Sequence, residues 1–302
     1  MKHLFIINGQ ALDELKRQLD QSIRQIFQNK DYSIEYTHYS RHATQIAKAY
    51  TEKYKELRIY ACGGDGTLHE IANGIYPHTH VQLAIVPIGT GNDFVRGFGY
   101  ERSDFKNLKN YLDPVYLWSD LIRVSDQKQT EVAINTFNLG FDARIAAEMP
   151  RFRKTAGAAN AYYLAMIYCL RQPINELFKL EVDGNRIRDR KYMFVVACNG
   201  SYYGGGFKPC PQASVSDGWL DLCFIHDVPI YRIPDLSLAY KKGEHLKYTK
   251  FAKNQKIKQL KVMNDSPVLV CLDGEIRTMT KPLIEVIPHQ IKLCLPKKQI
   301  RH

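Results

Sequence analysis

The sequence predicts two domains: an α/β domain with a parallel sheet and crossover helices, followed by a domain built mainly of antiparallel β-structure. Three observations carry this expectation. Over the first 118 residues, short apolar runs alternate with apolar residues at helical spacing. After about Trp118 strand-like runs dominate, some separated by turns such as VDGN (Val182–Asn185) and LDGE (Leu272–Glu275). The chain has 302 residues, 45% of them hydrophobic, enough for two packed cores. The expected domains are 1–118, with 289–302 as a candidate addition, and 119–288.

The elements follow in order. His3–Asn8 is a short apolar strand, and Leu12, Leu15, Leu19, Ile23, Ile26 and Phe27 then recur with a helical period. Ser33–Thr37 reads as a second strand, Ala43–Tyr54 as a helix and Leu57–Cys62 as a third strand. Leu68–Asn73 reads as a helical turn or two, and Gln82–Val86 as a fourth strand ending at Pro87. In the second domain the expected strands are Ala133–Leu139, Phe178–Val182, Tyr192–Cys198, Trp219–Ile225, Ile257–Met263, Val268–Leu272 and Leu283–Ile287. One helix, around Gly157–Leu170, interrupts them. The run Ile291–Leu295 fits either domain.

Composition narrows the function. The formal net charge is +11, which favours an anionic partner: nucleotide, nucleic acid or an anionic membrane face. Tyr240–Lys261 is lysine-rich with a single glutamate, and reads either as a solvated face or as a surface for acidic lipid headgroups. Nucleic acid is not expected as the partner, because no helix-turn-helix, zinc-finger or RNA-recognition signature accompanies the charge. The seven cysteines form no CxxC pair, and Cys62, Cys198 and Cys271 have apolar flanks, as in a reduced cytoplasmic protein. MKHLFIINGQ is not expected to be a signal peptide. The longest apolar segment, Ala158–Leu170, is too short to cross a bilayer and reads as a core helix. Any work on a membrane is therefore expected to be peripheral.

The chemistry is concentrated in YACGGDGTLH, Tyr60 to His69. Glycines at the carboxyl end of a parallel strand let backbone amides approach an anion, and the following helix N-terminus adds partial positive charge. Asp65 suits a bridging Mg²⁺ or a sugar hydroxyl. A plain strand-to-helix turn is the other reading. A second loop of the same kind, VPIGTGNDFVR (Val86–Arg96), follows the next strand and offers Thr90, Asn92 and Asp93. Two such loops at neighbouring strand ends form a crevice, which favours a nucleotide phosphate site with metal, the chemistry of phosphoryl transfer, over the plain turn. GxxxxGKS is absent, and IINGQALDE does not match GxGxxG.

GGDGTLHEIANG (Gly63–Gly74), PIGTGNDFVR (Pro87–Arg96), GGGFKPCPQASVSDGWLDL (Gly204–Leu222) and LDGE occur in that order. Together they resemble the bacterial soluble diacylglycerol kinase and lipid kinase family, related to sphingosine kinases and NAD kinases. The resemblance implies a nucleotide domain and a β-sandwich domain with the active site in the cleft between them. It implies ATP contacts from Gly63, Gly64, Asp65, Gly66, Thr67, Leu68, His69 and Glu70, with Thr90, Asn92, Asp93 and Thr37 near the nucleotide. It assigns the base that takes the acceptor's proton to Glu275, with Asp273 beside it, although Asp-Gly between apolar runs also reads as a hairpin turn. It implies Mg²⁺ held by the Asp217 side chain and the carbonyls of Ser214 and Trp219, in a loop that otherwise reads as a turn before a strand. Asn135 and Asn138 lie in a similar segment or simply end a strand, and Asp142 and Arg144 could pair locally. One departure stands out: the family's Asn-Pro and Ser-Gly first loop is here NGQALDE (Asn8–Glu14), which keeps only the Asn.

The expectation is an ATP- and Mg²⁺-dependent lipid kinase acting on a membrane lipid, diacylglycerol first, giving phosphatidic acid. It is expected as a homodimer, cytoplasmic and held at the inner face of the membrane. The alternatives are an NAD kinase-like phosphotransferase and a nucleotide- or lipid-binding regulator without turnover.

Overall fold

The computed structural model describes residues 1–297, and their side chains except at positions 153, 154, 156, 158 and 159. The part of 289–302 beyond residue 297 lies outside them. The chain divides into two compact units: Met1–Leu121 with the stretch that begins at Ile287, and Ile122–Val286.

The first unit alternates β1 (Lys2–Ile7), α1 (Asp13–Phe27), β2 (Tyr32–Tyr36), α2 (His42–Lys53), β3 (Leu57–Gly63), α3 (Asp65–Ile75) and β4 (Val81–Pro87). Two short helices follow, α4 (Asp93–Arg96) and α5 (Arg102–Lys106). The strands run parallel in the order β4-β3-β1-β2. β1 and β3 are buried along their whole length, which is why both read as unbroken apolar runs. Phe5 of β1 and Tyr60 of β3 stack at 4.1 Å, and Phe27 of α1 closes edge-on over both.

The second unit begins within β5 (Val115–Ser125) and continues through β6 (Thr130–Ala133), β7 (Thr136–Gly140), α6 (Phe141–Cys169) and β8 (Glu176–Phe178). Then come β9 (Leu180–Val182), β10 (Asn185–Arg186), β11 (Arg190–Cys198), β12 (Leu220–His226), α7 (Ile233–Lys242), β13 (Ala252–Ile257), β14 (Gln259–Val262), β15 (Val268–Leu272) and β16 (Glu275–Met279). β17 (Leu283–Leu295) leaves this unit at Ile287, and its Lys292–Cys294 pairs in parallel with β4 of the first.

Two antiparallel layers make the second unit. One has the order β13-β12-β11-β7-β15-β16. The other holds β10-β9-β14 and the first residues of β17. Phe137, Val195, Leu222 and Val270 of the first layer share one core with Leu180, Leu260 and Ile284 of the second. Along β11 the side chains alternate: Val195 and Ala197 enter that core, while Phe194, Val196 and Cys198 enter a second one closed by α6 and α7.

Several expectations are corrected here. Ala133–Leu139 is two strands, because the Asp273 carboxylate captures the backbone between them. Phe178–Val182 is divided between β8 and β9, and Ile257–Met263 holds the last residue of β13 and the whole of β14. The second unit has two main helices rather than one. α6 is longer than expected and breaks at Gly157, whose φ of 73° no helix contains. Its C-terminal half is no core helix: Tyr163, Leu164 and Ile167 face outward, exposed, while Ala161, Ala165 and Cys169 face inward. All seven cysteines are buried and none is in a disulfide.

Candidate active site

The carboxyl ends of β1, β3 and β4 bring three loops together. Gly63 O accepts the N–H groups of Ile88 (3.0 Å) and Gly89 (3.1 Å), which ties the two glycine loops backbone to backbone. A Cβ on Gly89 would lie 2.5 Å from Gly64 Cα, so only glycine permits this approach. Asn92 sits in the left-handed region, φ 51°, and its amide donates to Gly89 O at 2.7 Å. Arg102, which sequence reasoning did not single out, holds Gly89 O and Pro87 O with its guanidinium. These contacts hold the two glycine loops together.

α3 starts immediately after this contact. Its N-cap is Gly64, no side chain caps it, and a Cβ on Gly66 would meet only open space. That leaves a helix N-terminus facing outward at a strand end, suited to an anion. The first loop joins through Asn8, whose amide donates to Thr67 Oγ1 (3.2 Å), and through Gly9, whose N–H donates to Thr37 Oγ1 (3.1 Å). Thr37, Thr67 and the glycine loops therefore do come together. Thr90 is exposed at the tip of its loop.

Other predicted contacts are committed elsewhere. Asp65 Oδ1 accepts the N–H of Asp93 (2.8 Å) and Phe94 (3.4 Å), so this carboxylate joins the two loops and caps α4. Asp93 is buried and paired with Arg96 at 3.0 Å. Glu70 caps α2, accepting from Arg41 N (2.8 Å) and Ala43 N (3.0 Å). Leu68 and His69 point into the unit, 3% exposed each. Like Arg102, Lys16, one turn into α1, was not singled out from the sequence. Its ammonium reaches back to Gly9 O at 2.9 Å and pairs with Asp13 at 2.8 Å.

In the second unit, β15 and β16 form a hairpin with Leu272 opposite Glu275. Asp273 (φ 50°) and Gly274 (φ 97°) both occupy the left-handed region, as a two-residue turn of this hand requires. The Asp273 carboxylate accepts three backbone N–H groups: Ile134 (2.7 Å), Asn135 (2.9 Å) and Thr136 (2.8 Å). Glu275 is the accessible carboxylate of the pair, its side chain 42% exposed. Arg277 lies 3.6 Å from it but donates to Glu131 at 2.8 Å.

Asp142 and Arg144 do not pair. Asp142 accepts from the Asn138 amide at 2.5 Å, while Arg144 pairs with Glu176 at 3.0 Å. Burial raises the Asp142 pKa against the hydrogen bonds from Asn138 and Tyr203. Asp142 lies in the wall of an open cavity, which Phe141, Tyr162, Met166, Phe194 and Tyr240 make largely apolar.

The residues expected to hold Mg²⁺ do not fit it. Asp217 Oδ1 accepts the Trp219 N–H (3.0 Å), Oδ2 holds the Lys256 ammonium at 2.5 Å, and Gly218 O accepts from Lys258. Among the described residues no group of three or more His, Cys, Asp or Glu is placed to hold a metal ion.

Two glycine loops tied together at the strand ends of a parallel sheet, followed by an antiparallel sandwich, suit a phosphotransferase of the kinase type. Comparison with known proteins names the family. The diacylglycerol kinase catalytic domain matches residues 2–123, and the YegS C-terminal NAD kinase beta sandwich-like domain matches residues 135–295. The chain belongs to this lipid kinase family, whose reaction implies ATP and a divalent metal. It is 29% identical over 273 residues to the diacylglycerol kinase of Bacillus subtilis strain 168, covering 86% of each chain. It is 26% identical over 246 residues to a YegS-like lipid kinase of Xanthomonas axonopodis pv. citri, covering 79% of this chain and 78% of the other. A crystal structure of a diacylglycerol kinase from Bacillus anthracis Sterne superposes with a TM-score of 0.71 at 20% identity, covering 97% of this chain and 96% of that one.

Proposed function

We propose that this lipid kinase transfers the γ-phosphoryl group of ATP, taken as its Mg²⁺ complex, to the hydroxyl of diacylglycerol, giving phosphatidic acid. The observation that carries the nucleotide side is the Gly63–Gly89 backbone tie, which sets two glycine loops beside an uncapped helix N-terminus. In this reading the first amides of α3, with Thr37, Thr67 and Thr90, receive the triphosphate. Lys16 supplies the ammonium that the departed first loop lacks. Asp65, Asn92 and Asp93 hold the loops in shape, and Leu68, His69 and Glu70 act through packing and capping.

Glu275 is the base. Its carboxylate takes the proton of the acceptor hydroxyl as that oxygen bonds to the γ-phosphorus and the bond to ADP breaks. Asp273 positions it by fixing the hairpin. The apolar cavity beside α6 and α7 supports a lipid acceptor over a soluble dinucleotide, since it offers aromatic and thioether surface with few polar groups.

Docking is peripheral in this reading. No helix among the described residues is long and apolar enough to cross a membrane. The outward Tyr163, Leu164 and Ile167 and the exposed lysines 241, 242, 247 and 250 suit an anionic leaflet. The protein works as a homodimer at the inner face of the membrane, without nucleic acid. The test is vesicle flotation with and without phosphatidylglycerol: Ile167→Asp should release the protein from both kinds of vesicle, and Lys241→Ala/Lys242→Ala only weaken the anionic preference. Equal binding by all three proteins would sink the docking face.

A further inference from the structure

The loop Ser214–Trp219 runs into β12, and β13 lies antiparallel beside that strand with Lys256 opposite Asp221. This register carries Lys256 and Lys258, two residues apart, back over the loop. We propose that the ammonium groups of these two lysines take the place of the divalent ion in this loop, so that the chain itself supplies the cations that hold it.

Of the contacts expected of the metal, the one to the carboxylate is made by an ammonium, and a second ammonium takes the backbone carbonyl between Asp217 and Trp219. Lys256 Nζ lies 2.5 Å from Asp217 Oδ2, the oxygen a cation would need. Lys258 Nζ donates to the backbone carbonyl of Gly218 and sits 3.8 Å from the centroid of the Trp219 ring. Asp217 Oδ1 is closed off by the Trp219 N–H at 3.0 Å. Two ammonium groups bring the same +2 charge as Mg²⁺. They need no octahedral cage of oxygens at about 2.0–2.1 Å, which this loop does not offer. A divalent ion entering here would meet the Lys256 charge at contact distance.

An isolated surface ion pair stabilises little. This loop combines an ion pair, an ammonium–carbonyl bond and a cation over an indole, all on adjacent residues. The consequence is that the second unit folds and holds this loop without divalent metal. In the reaction proposed above, metal then arrives only with the nucleotide.

The test uses the full chain, nucleotide-free and stripped with EDTA, titrated with Tb³⁺ alone while tryptophan is excited. Trp219 would sensitise any ion bound in its own loop. The expected result is no Tb³⁺ emission that depends on Asp217, so wild type and Asp217→Asn give the same curve. The melting temperature of wild type should be the same in Mg²⁺ and in EDTA. Lys256→Met/Lys258→Met should melt about 2–4 °C lower and gain Asp217-dependent Tb³⁺ emission. Emission from wild type that Asp217→Asn abolishes would overturn the proposal. So would a double variant that melts with wild type and still binds no Tb³⁺. The wild-type and Asp217→Asn titrations decide the matter even if the double variant fails to fold.

Discussion

Replacing Asp273 should destabilise the second unit rather than silence its chemistry. The carboxylate satisfies three backbone N–H groups at 2.7–2.9 Å, on Ile134, Asn135 and Thr136, residues that are 1%, 6% and 2% exposed. Alanine strands all three donors. A buried donor left without a partner costs about 1–3 kcal/mol, and partial relaxation brings three of them to about 3–5 kcal/mol. For a unit of this size that lowers the melting temperature by about 6–20 °C. Asparagine keeps the Oδ1 that serves Asn135 and Thr136 and turns an NH₂ towards Ile134. It should therefore lose one bond and fall between alanine and wild type. Glu275→Gln is the contrast: a half-exposed side chain, melting within about 1 °C of wild type, with turnover gone. Calorimetric melting of all four proteins, with kinase activity measured well below each transition, separates the two roles. An Asp273→Ala protein that melts with wild type yet is inactive would refute the positioning role and return Asp273 to the chemistry.

Three further outcomes are expected. Gly89→Ala places a Cβ 2.5 Å from Gly64 Cα, and the loops must part; the KM for ATP should rise about tenfold or more, the size of ~1.4 kcal/mol, with the KM for lipid unchanged. Lys16→Ala should weaken ATP and ADP about tenfold, as loss of a charge-assisted hydrogen bond implies, leave adenosine unchanged in calorimetry, and be restored in part by arginine. Burial lowers the pKa of His3 and of His245 to about 4 from 6.5. The unfolded chain then takes up protons first as pH falls below about 6.5, so stability is lost between about pH 6.5 and 4. His3→Gln and His245→Gln should each make that slope in urea melts shallower, and an unchanged slope would contradict the buried, neutral rings.

Much of the first unit was legible because β1, β3 and β4 are buried on both faces and announce themselves as apolar runs. The second glycine loop was legible for a related reason: an adjacent strand must place its own loop beside the first. The motif was over-read where contiguity in sequence was taken for contiguity in space. Asp65–Glu70 is the first turn and a half of a helix, so its residues face every direction, and Leu68 and His69 face the core. Glu70 was out of reach because its partners lie at the start of α2, 27 and 29 positions away. The break between β6 and β7 is caused by a carboxylate 137 to 139 positions distant. α7 was hidden by Pro234 near its start and by the lysines that run on past its end into β13. The outward face of α6 was missed because its segment is apolar all round; periodicity cannot show which side the fold leaves uncovered.

One measurement reaches the central claim directly. Purified protein, Mg²⁺ and ATP labelled at the γ-phosphate are incubated with vesicles carrying diacylglycerol, monoacylglycerol, ceramide or sphingosine, beside soluble NAD, with Glu275→Gln in parallel. The account predicts label in phosphatidic acid from the diacylglycerol vesicles, none in NAD, and none from the variant. Label in NAD, or label in lipid that survives Glu275→Gln in full, would contradict it.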